Sequence, residues 1–132
     1  MPRNERTTCR EVIEPLLSSA GWDWDEQLRI GPGRVNITGD SMYDESQAIV
    51  ADYLLRYRGI PLAILEAKAE SESAADGMQQ ASRYARRLMI RFSIASNGSE
   101  WIITDNDSGE FETLDRPPTP DEIVSRLGIS ID

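Results

Sequence analysis

The most constraining feature of this sequence is an ordered set of β-prone and helical segments in its middle. Residues 48–57 and 62–68 are two β-prone segments joined by a short Gly- and Pro-containing turn at residues 58–61, so we expect them to pair antiparallel. A helix over residues 77–89 and a strand over residues 92–96 follow. Because a strand–helix–strand unit ordinarily pairs its strands in parallel through a right-handed crossover, the pattern predicts an α/β fold with a mixed central β-sheet flanked by helices.

The flanking segments extend this core. Apolar residues at helical spacing predict a first helix over residues 5–20 that ends at Gly21, and Pro15 should kink it or divide it into two pieces. The other strands that we predict are 27–30, 34–38, 101–104 and 111–114. The first two form a hairpin in this prediction, and the last two follow the turn at Asn97-Gly98. The residues of the central helix that we expect to pack inward are Met78, Ala81, Ala85, Leu88 and Met89.

With 132 residues and 39% hydrophobic residues, the chain is long enough for one compact domain with an apolar core. We assign residues 1–116 to that domain and residues 117–132 to a Pro-rich linker with a short helix, which Thr119 caps and Gly128 ends. No apolar run approaches the about 18 residues that span a bilayer, and the first residues lack a secretory signal. We therefore expect a cytoplasmic protein with no membrane partner.

The residue types also limit the chemistry. The single cysteine, Cys9, excludes an internal disulfide, and the absence of histidine excludes His-ligated zinc and His-based nucleophilic triads. Carboxylate and lysine chemistry remains.

Acidic and basic residues converge on the predicted hairpin. Strand alternation places Val50, Asp52 and Leu54 on one face of the first strand, and it places Leu62, Ile64, Glu66 and Lys68 on one face of the second. Carboxylates on adjacent strands are the oxygen ligands that Mg²⁺ prefers, and the carbonyl of Ala67 can add another. We expect Lys68 to orient water or offset charge on a phosphate rather than act as a base, because adjacent carboxylates stabilise its protonated form. The alternative is a solvated Glu–Lys ion pair, although Glu66 ends a strongly apolar run.

A polar stripe follows on the predicted central helix. Gln80, Arg83, Tyr84, Arg87 and Arg91 recur three and four residues apart. We expect Gln80 to bond a ligand or phosphate, Tyr84 to buttress it, and Arg83 and Arg87 to hold a DNA backbone. The alternative for the arginines is a solvated helix face.

The order of these motifs carries a family resemblance. Asp52, Glu66-Ala67-Lys68 and Gln80 to Tyr84 resemble the PD-(D/E)xK nucleases that have an additional Gln-x-x-x-Tyr motif. Ala20-Gly21-Trp22, Ala51-Asp52-Tyr53, Pro61-Leu62-Ala63 and Asn97-Gly98 extend the similarity to the N-terminal region of type I restriction enzyme restriction subunits.

The resemblance implies a restriction-endonuclease-like core and Mg²⁺-dependent endonuclease cleavage of double-stranded DNA, with Mn²⁺ as a substitute. It also implies a larger parent protein that has an ATP-driven motor and that has modification and specificity subunits as partners. The phosphate-binding loop of such a motor is not found in this sequence. Such nucleases often place a further metal-binding acid on the first helix, where Glu5, Glu11 and Glu14 compete and we favour Glu5. Ala51 stands where the family motif has proline.

Two other functions stay open from the sequence. The fold can serve as a non-catalytic DNA-docking or subunit-interaction module, or the domain can act on RNA or single strands. The net charge of −9 opposes tight DNA binding by this chain alone, so we expect weak, salt-dependent binding.

Overall fold

The computed structural model describes residues 3–30 and 49–127. In these residues a six-stranded sheet is the central layer, and its strands lie side by side in sequence order. The strands are β1 Asp23–Ile30, β2 Ile49–Tyr57, β3 Ile60–Ala67, β4 Phe92–Ser96, β5 Trp101–Asp105 and β6 Phe111–Leu114. The α-helices are α1 Glu5–Thr8, α2 Glu14–Ala20, α3 Met78–Arg87 and α4 Pro120–Leu127. A π-helical segment, Cys9–Ile13, joins α1 to α2, and a 3₁₀ turn, Ala74–Gly77, precedes α3. None of the helices in the described ranges has the length and apolarity to cross a bilayer.

The strand pairing confirms the predicted mixed sheet. β3 and β4 are parallel and are connected through α3, whereas each other neighbouring pair is antiparallel. The strands predicted at residues 92–96 and 111–114 have the observed bounds. The second strand of the predicted hairpin, residues 34–38, lies outside the described residues, and β1 itself pairs with β2.

The turn between β2 and β3 is tighter than the predicted one. Arg58 and Gly59 both have positive φ angles, 51° and 79°. That combination is typical of the two-residue turns that match the twist of a hairpin. Ile60 therefore already belongs to β3.

A β-bulge in the same hairpin corrects one predicted facing. The register of β2 against β3 shifts between Leu55 and Arg56, which leaves Leu62 as an extra residue on β3. We expected Leu62 to share a face with Ile64 and Glu66. The bulge instead turns Leu62 into the apolar cluster on the other side of the sheet from Ile64.

The N-terminal helix, residues 5–20, is one helical run in three segments, where Pro15 predicted a kink or two pieces. Pro15 stands in the first turn of α2, directly after the π-helical segment, and has no N–H to donate to the preceding turn. Directly before it, the amide of Glu14 bonds to the carbonyl of Cys9, five residues back. Gly21 ends the helix with φ 103°, as predicted.

Two apolar clusters hold the layers together. The larger cluster joins one face of the sheet to the N-terminal helix and α4 through residues such as Leu17, Leu65 and Ile123. The smaller cluster joins the other face to α3 and includes Ile64 and Tyr84. Because full burial of a leucine or isoleucine side chain contributes about 1.5–3 kcal/mol, both helical layers are firmly attached to the strands that carry Asp52 and Glu66.

The central helix ends earlier than predicted. α3 ends at Arg87, and Met89 has φ 61° and is 93% exposed. The prediction that Met89 packs inward is therefore wrong, because the left-handed backbone directs it away from the buried face of the helix. Ala81 and Ala85 are buried, as predicted.

Residues 117–127 pack onto the core. The indole Nε1 of Trp22 donates to the carbonyl oxygen of Pro118 at 2.7 Å, and Ile123 is fully buried. Thr119 Oγ1 accepts from the amide of Glu122 at 3.2 Å, and the Glu122 carboxylate accepts from the amide of Thr119. This capping box confirms Thr119 as the helix cap, whereas Gly128 lies outside the described residues. The domain boundary at residue 116 stays a prediction.

Candidate active site

Asp52 and Glu66 lie side by side on β2 and β3, just beyond the pair formed by Tyr53 and Leu65. The amide of Asp52 donates to Glu66 Oε2 at 2.7 Å, and the amide of Ala67 donates to Asp52 Oδ2 at 2.9 Å. Each carboxylate is thus oriented by a main-chain N–H of the opposite strand. We call Asp52 and Glu66 the carboxylate pair. A carboxylate has about four lone-pair sites, so both groups keep sites for a further ligand.

Burial makes the negative charge of this pair costly. Glu66 is 4% exposed, and its pKa is raised to about 8, first by burial and then by repulsion from Asp52. Burial also raises the pKa of Asp52, which is half-buried, while the Ala67 amide and the Lys68 charge lower it. The sheet therefore holds two acids together in an environment that disfavours ionising both.

Lys68 supplies the positive charge that acts on the pair. Its amide donates to the Ser96 carbonyl at 2.8 Å, which extends the parallel pairing of β3 with β4 by one residue. The Lys68 charge lowers the pKa of both Asp52 and Glu66. Lys68 is the only lysine in the sequence, since the other thirteen basic residues are arginines. The cluster therefore contains a compact ammonium rather than a planar guanidinium.

The donor set fits a hard divalent cation. When both are ionised, two carboxylates near a single ammonium leave negative charge that Mg²⁺ would balance, and Mg²⁺ is commonly held by one or two carboxylates together with water. Within residues 3–30 and 49–127, no three His, Cys, Asp or Glu side chains form a ready-made metal site. The protein ligands would therefore be the carboxylate pair, with the Ala67 carbonyl as the main-chain candidate.

The three acids of the N-terminal helix differ in their surroundings. Glu11 accepts from Arg3 Nε at 2.9 Å, and Glu14 accepts from the Tyr53 hydroxyl at 2.7 Å. Glu5 is exposed on α1, and desolvation and the nearby charge of Asp52 raise its pKa. Of the three acids, Glu5 is therefore the best placed to approach the carboxylate pair, and its role as a ligand stays a prediction.

The 3₁₀ turn before α3 packs against the site. A Cβ atom at Gly77 would lie 3.6 Å from Glu66 Cβ and 3.6 Å from Lys68 Cε, and Gly77 itself is buried. Those distances are ordinary van der Waals contacts, so alanine would fit at this position. A longer side chain would meet Lys68.

α3 brings the predicted Gln80–Tyr84 pair onto the same face of the sheet. Gln80 Nε2 donates to the Tyr84 hydroxyl at 3.0 Å, and the Tyr84 ring is buried in the smaller cluster. Arg83 and Arg87 are exposed on this helix. In the described contacts, neither Gln80 nor Tyr84 bonds directly to the carboxylate pair, so their part in the chemistry stays a prediction.

A cleft of about 410 Å³ opens beside Asp52. Several of the residues that line it were not predicted from the sequence. Arg6 and Arg10 line it from the N-terminal helix, and Gln27 lines it from β1. The spacing of four residues between the arginines was a usable signal, because such residues share one side of a helix. Gln27 had no such signal, since its place depends on the pairing of β1 with β2.

Three comparisons with known proteins agree with one another. The sequence model of the family described as "Type I restriction enzyme R protein N terminus" matches residues 34–111. The type I restriction enzyme EcoAI endonuclease subunit from Escherichia coli is 36% identical over 126 residues, which covers 92% of this chain and 15% of that subunit.

A solved structure is similar as well. It is the fragment described as an HsdR subunit of a type I restriction enzyme from Vibrio vulnificus YJ016, with a TM-score of 0.80 and 39% identity. The match covers 96% of this chain and 26% of that one. The chain therefore spans about a quarter or less of the length of these two relatives.

Proposed function

The chain belongs to the family of type I restriction enzyme R protein N termini, and from this premise we propose that it is a Mg²⁺-dependent endodeoxyribonuclease domain. In this proposal it is the cleavage module of a restriction subunit and hydrolyses phosphodiester bonds of double-stranded DNA. The EcoAI relative is an endonuclease subunit, which supports a nuclease role in general. The metal and the residue roles are part of the proposal.

The observation that carries the proposal is the reciprocal bonding of the carboxylate pair. Main-chain amides of β2 and β3 orient Asp52 and Glu66, and burial places both acids where an unbalanced charge is costly. A purely structural role is better served by acids that are neutralised by arginine, as Asp105 is by Arg91. A cation-binding role accounts for the absence, among the described residues, of an arginine bonded to either acid of the pair.

Each residue has a part in the proposed chemistry. Asp52, Glu66 and the Ala67 carbonyl bind Mg²⁺ or Mn²⁺, with Glu5 as a further candidate. A cation held by these groups would supply Lewis-acid chemistry, polarising the scissile phosphate and making a coordinated water more acidic. Lys68 orients the water that attacks phosphorus in line, and it stabilises the negative charge that develops on the phosphate. Gln80, held by Tyr84, contacts the substrate or the ligands of the metal.

Arginines on two helices are candidates for contacts with the DNA backbone. Arg83 and Arg87 are exposed on α3, which fits both contact with a DNA backbone and a solvated helix face. Arg6 and Arg10 line the cleft beside Asp52, and their side chains make no hydrogen bond or ion pair within the described part of the chain. Because the net charge is −9, binding by this chain alone should be weak and should fall steeply with salt.

The remaining partners belong to the longer relatives. We propose that the chain acts within a larger restriction subunit whose motor uses ATP, together with modification and specificity subunits that select the DNA site. Cytoplasmic location follows from that role.

A non-catalytic DNA-docking or subunit-interaction module is the second candidate, and the charge of −9 favours its subunit-interaction form because it opposes close approach to phosphates. Plasmid nicking in Mg²⁺ or Mn²⁺ at high protein concentration separates the two functions. We expect nicking that disappears with EDTA, with Glu66→Ala and with Lys68→Ala. Glu112→Ala on the edge strand β6 is the matched control and should cleave like the wild type. A single-stranded DNA and RNA panel tests the substrate.

Retained DNA binding with no metal-dependent nicking, unchanged by Lys68→Ala, would support the docking module and contradict our proposal. The same comparison should be repeated with the chain joined to its motor and partner subunits, because cleavage by the assembled enzyme is the decisive case.

A further inference from the structure

Gln27 has a left-handed backbone in the middle of a β-strand. Its φ is 51°, a value that residues other than glycine rarely adopt and that strands do not require. The register of β1 and β2 is otherwise continuous, from Asp23 opposite Arg56 to Ile30 opposite Ile49. That register places Gln27 opposite Asp52, and at this position the ladder pairing is interrupted. The strain therefore lies directly beside the carboxylate pair.

The side chain of Gln27 reaches the acid opposite it. Gln27 lies close enough to Asp52 to lower the pKa of its carboxyl group, and both residues line the cleft beside the site. Since an ionised carboxylate only accepts hydrogen bonds, the Gln27 amide nitrogen is the group that can donate to it. Asp52 thus accepts from the main-chain N–H of Ala67 and has the neutral Gln27 amide beside it.

A neutral donor has a specific advantage at this position. An arginine would orient Asp52 but would also cancel its charge, as Arg91 does for Asp105. An amide fixes the direction of the carboxylate and leaves its charge for a cation. Backbone strain of this kind persists where the surrounding structure makes use of it.

We propose that Gln27 is a positioning residue that orients the Asp52 carboxylate for a divalent cation, and that its left-handed backbone aims the amide at Asp52. This inference rests on the proposed metal-dependent function. It adds a residue of β1 to a site otherwise built from β2 and β3.

Metal binding can be measured at the site itself because Lys68 is the only lysine. Reductive ¹³C-methylation labels its amine, keeps its charge and gives a signal separate from that of the N-terminal amine. Broadening of the Lys68 signal by Mn²⁺ falls steeply with distance, so it is strongest for binding near the carboxylate pair and weaker for binding at other acids. The proteins compared are the wild type, Gln27→Gly, Gln27→Asn and the control Gln79→Ala, which removes an exposed glutamine of α3.

Gln27→Gly removes the amide and accepts the left-handed backbone without strain, so it should remain folded. Gln27→Asn also tolerates that backbone, but its amide is one methylene shorter. We expect both variants to bind Mn²⁺ about 10–100-fold more weakly than the wild type, with unchanged circular dichroism. Their slower cleavage should recover when the Mn²⁺ concentration is raised, which a general structural defect would not do. Gln79→Ala should match the wild type.

Wild-type Mn²⁺ affinity in Gln27→Gly would overturn the role of Gln27 and leave the proposed nuclease function intact. The absence of any Mn²⁺ effect on Lys68 in the wild type would overturn the metal site and this inference together.

Discussion

Acidic residues at two places in the same sheet have opposite surroundings and opposite pKa shifts. At the end of β5, both carboxylate oxygens of Asp105 accept from Arg91, at 2.9 and 2.8 Å, and this bond lowers the pKa of Asp105. On β2 and β3, the carboxylate pair is held by neutral amides, and burial raises the pKa of both acids. In the part of the chain that the structure describes, arginine thus neutralises Asp105 but not Asp52 or Glu66. The difference supports the proposal that the pair binds a ligand, whereas Asp105 supports the structure.

The largest expected difference between the two places is in catalysis. Glu66→Gln removes a proposed metal ligand with little change in shape, so it should lower the rate of plasmid nicking by about 10²–10³-fold. Asp105→Asn should cleave at nearly the wild-type rate. Initial rates at saturating Mg²⁺ measure both. Equal losses in the two variants would remove the distinction between a structural and a catalytic acid.

The second difference is in the pH dependence of stability without metal. Because the pKa of Glu66 is raised from 4.5 to about 8, protonation favours the folded state. That contribution is complete below about pH 4.5 and is lost as the pH rises towards 8. Glu66→Gln should therefore raise the free energy of unfolding by about 2–4 kcal/mol at pH 8, given about 1.4 kcal/mol per pKa unit.

Urea denaturation in EDTA at pH 5 and pH 8 measures this effect. The gain from Glu66→Gln should nearly disappear at pH 5, and Mg²⁺ should reduce it at pH 8 by stabilising the charged wild type. A variant that is less stable than the wild type at pH 8 would contradict the assignment of Glu66 as a buried acid whose ionised form destabilises the fold.

A smaller effect on the nicking rate is expected from changes in the 3₁₀ turn that packs against the site. Gly77→Leu should displace Lys68 and lower the nicking rate by about tenfold or more, since small misplacements of catalytic groups are costly. Gly77→Ala should be nearly neutral, because its Cβ would meet Glu66 and Lys68 at contact distance. If alanine and leucine have equal effects on the rate, the packing of Gly77 against Lys68 does not position the lysine.

The smallest effect concerns Asp105 itself. Its lowered pKa contributes stability that is present above its unfolded value of 3.8 and is lost as the pH falls, which is the opposite sign to Glu66. Asp105→Asn should therefore lower the melting temperature slightly at pH 7 and less at pH 3, because ion pairs near the surface contribute little. Calorimetric melts at the two pH values provide the check. A larger loss at pH 3 would reverse the proposed sign.

Much of the fold was predictable because the relevant signals are local. Alternation and turn residues were sufficient for β4, β6 and the mixed order of the sheet, and Pro15 and Gly21 marked the divisions of the N-terminal helix. The errors arose where one residue departs from a regular repeat. The bulge at Leu62 and the left-handed backbone at Met89 each changed the direction in which a side chain faces. The apolar periodicity of the sequence reveals neither of them.

The candidate site was predictable to a similar extent. Asp52, Glu66 and Lys68 lie on one hairpin, so strand alternation was enough to bring the two acids together. Glu5 was already favoured over Glu11 and Glu14 from the sequence, whereas its electrostatic interaction with Asp52 depends on the direction of the N-terminal helix over the sheet. Whether these residues bind Mg²⁺ is a question for the experiments above.

The sequence by itself determined which groups are available for chemistry: two carboxylates and the only lysine, on neighbouring strands, in a chain without histidine. Only the tertiary structure decided their state. The raised pKa of Glu66 depends on burial, and Gln27 is brought opposite Asp52 by the pairing of β1 with β2. Burial and cross-strand contacts join residues that are distant in the chain, and a local pattern cannot encode the environment that such contacts create.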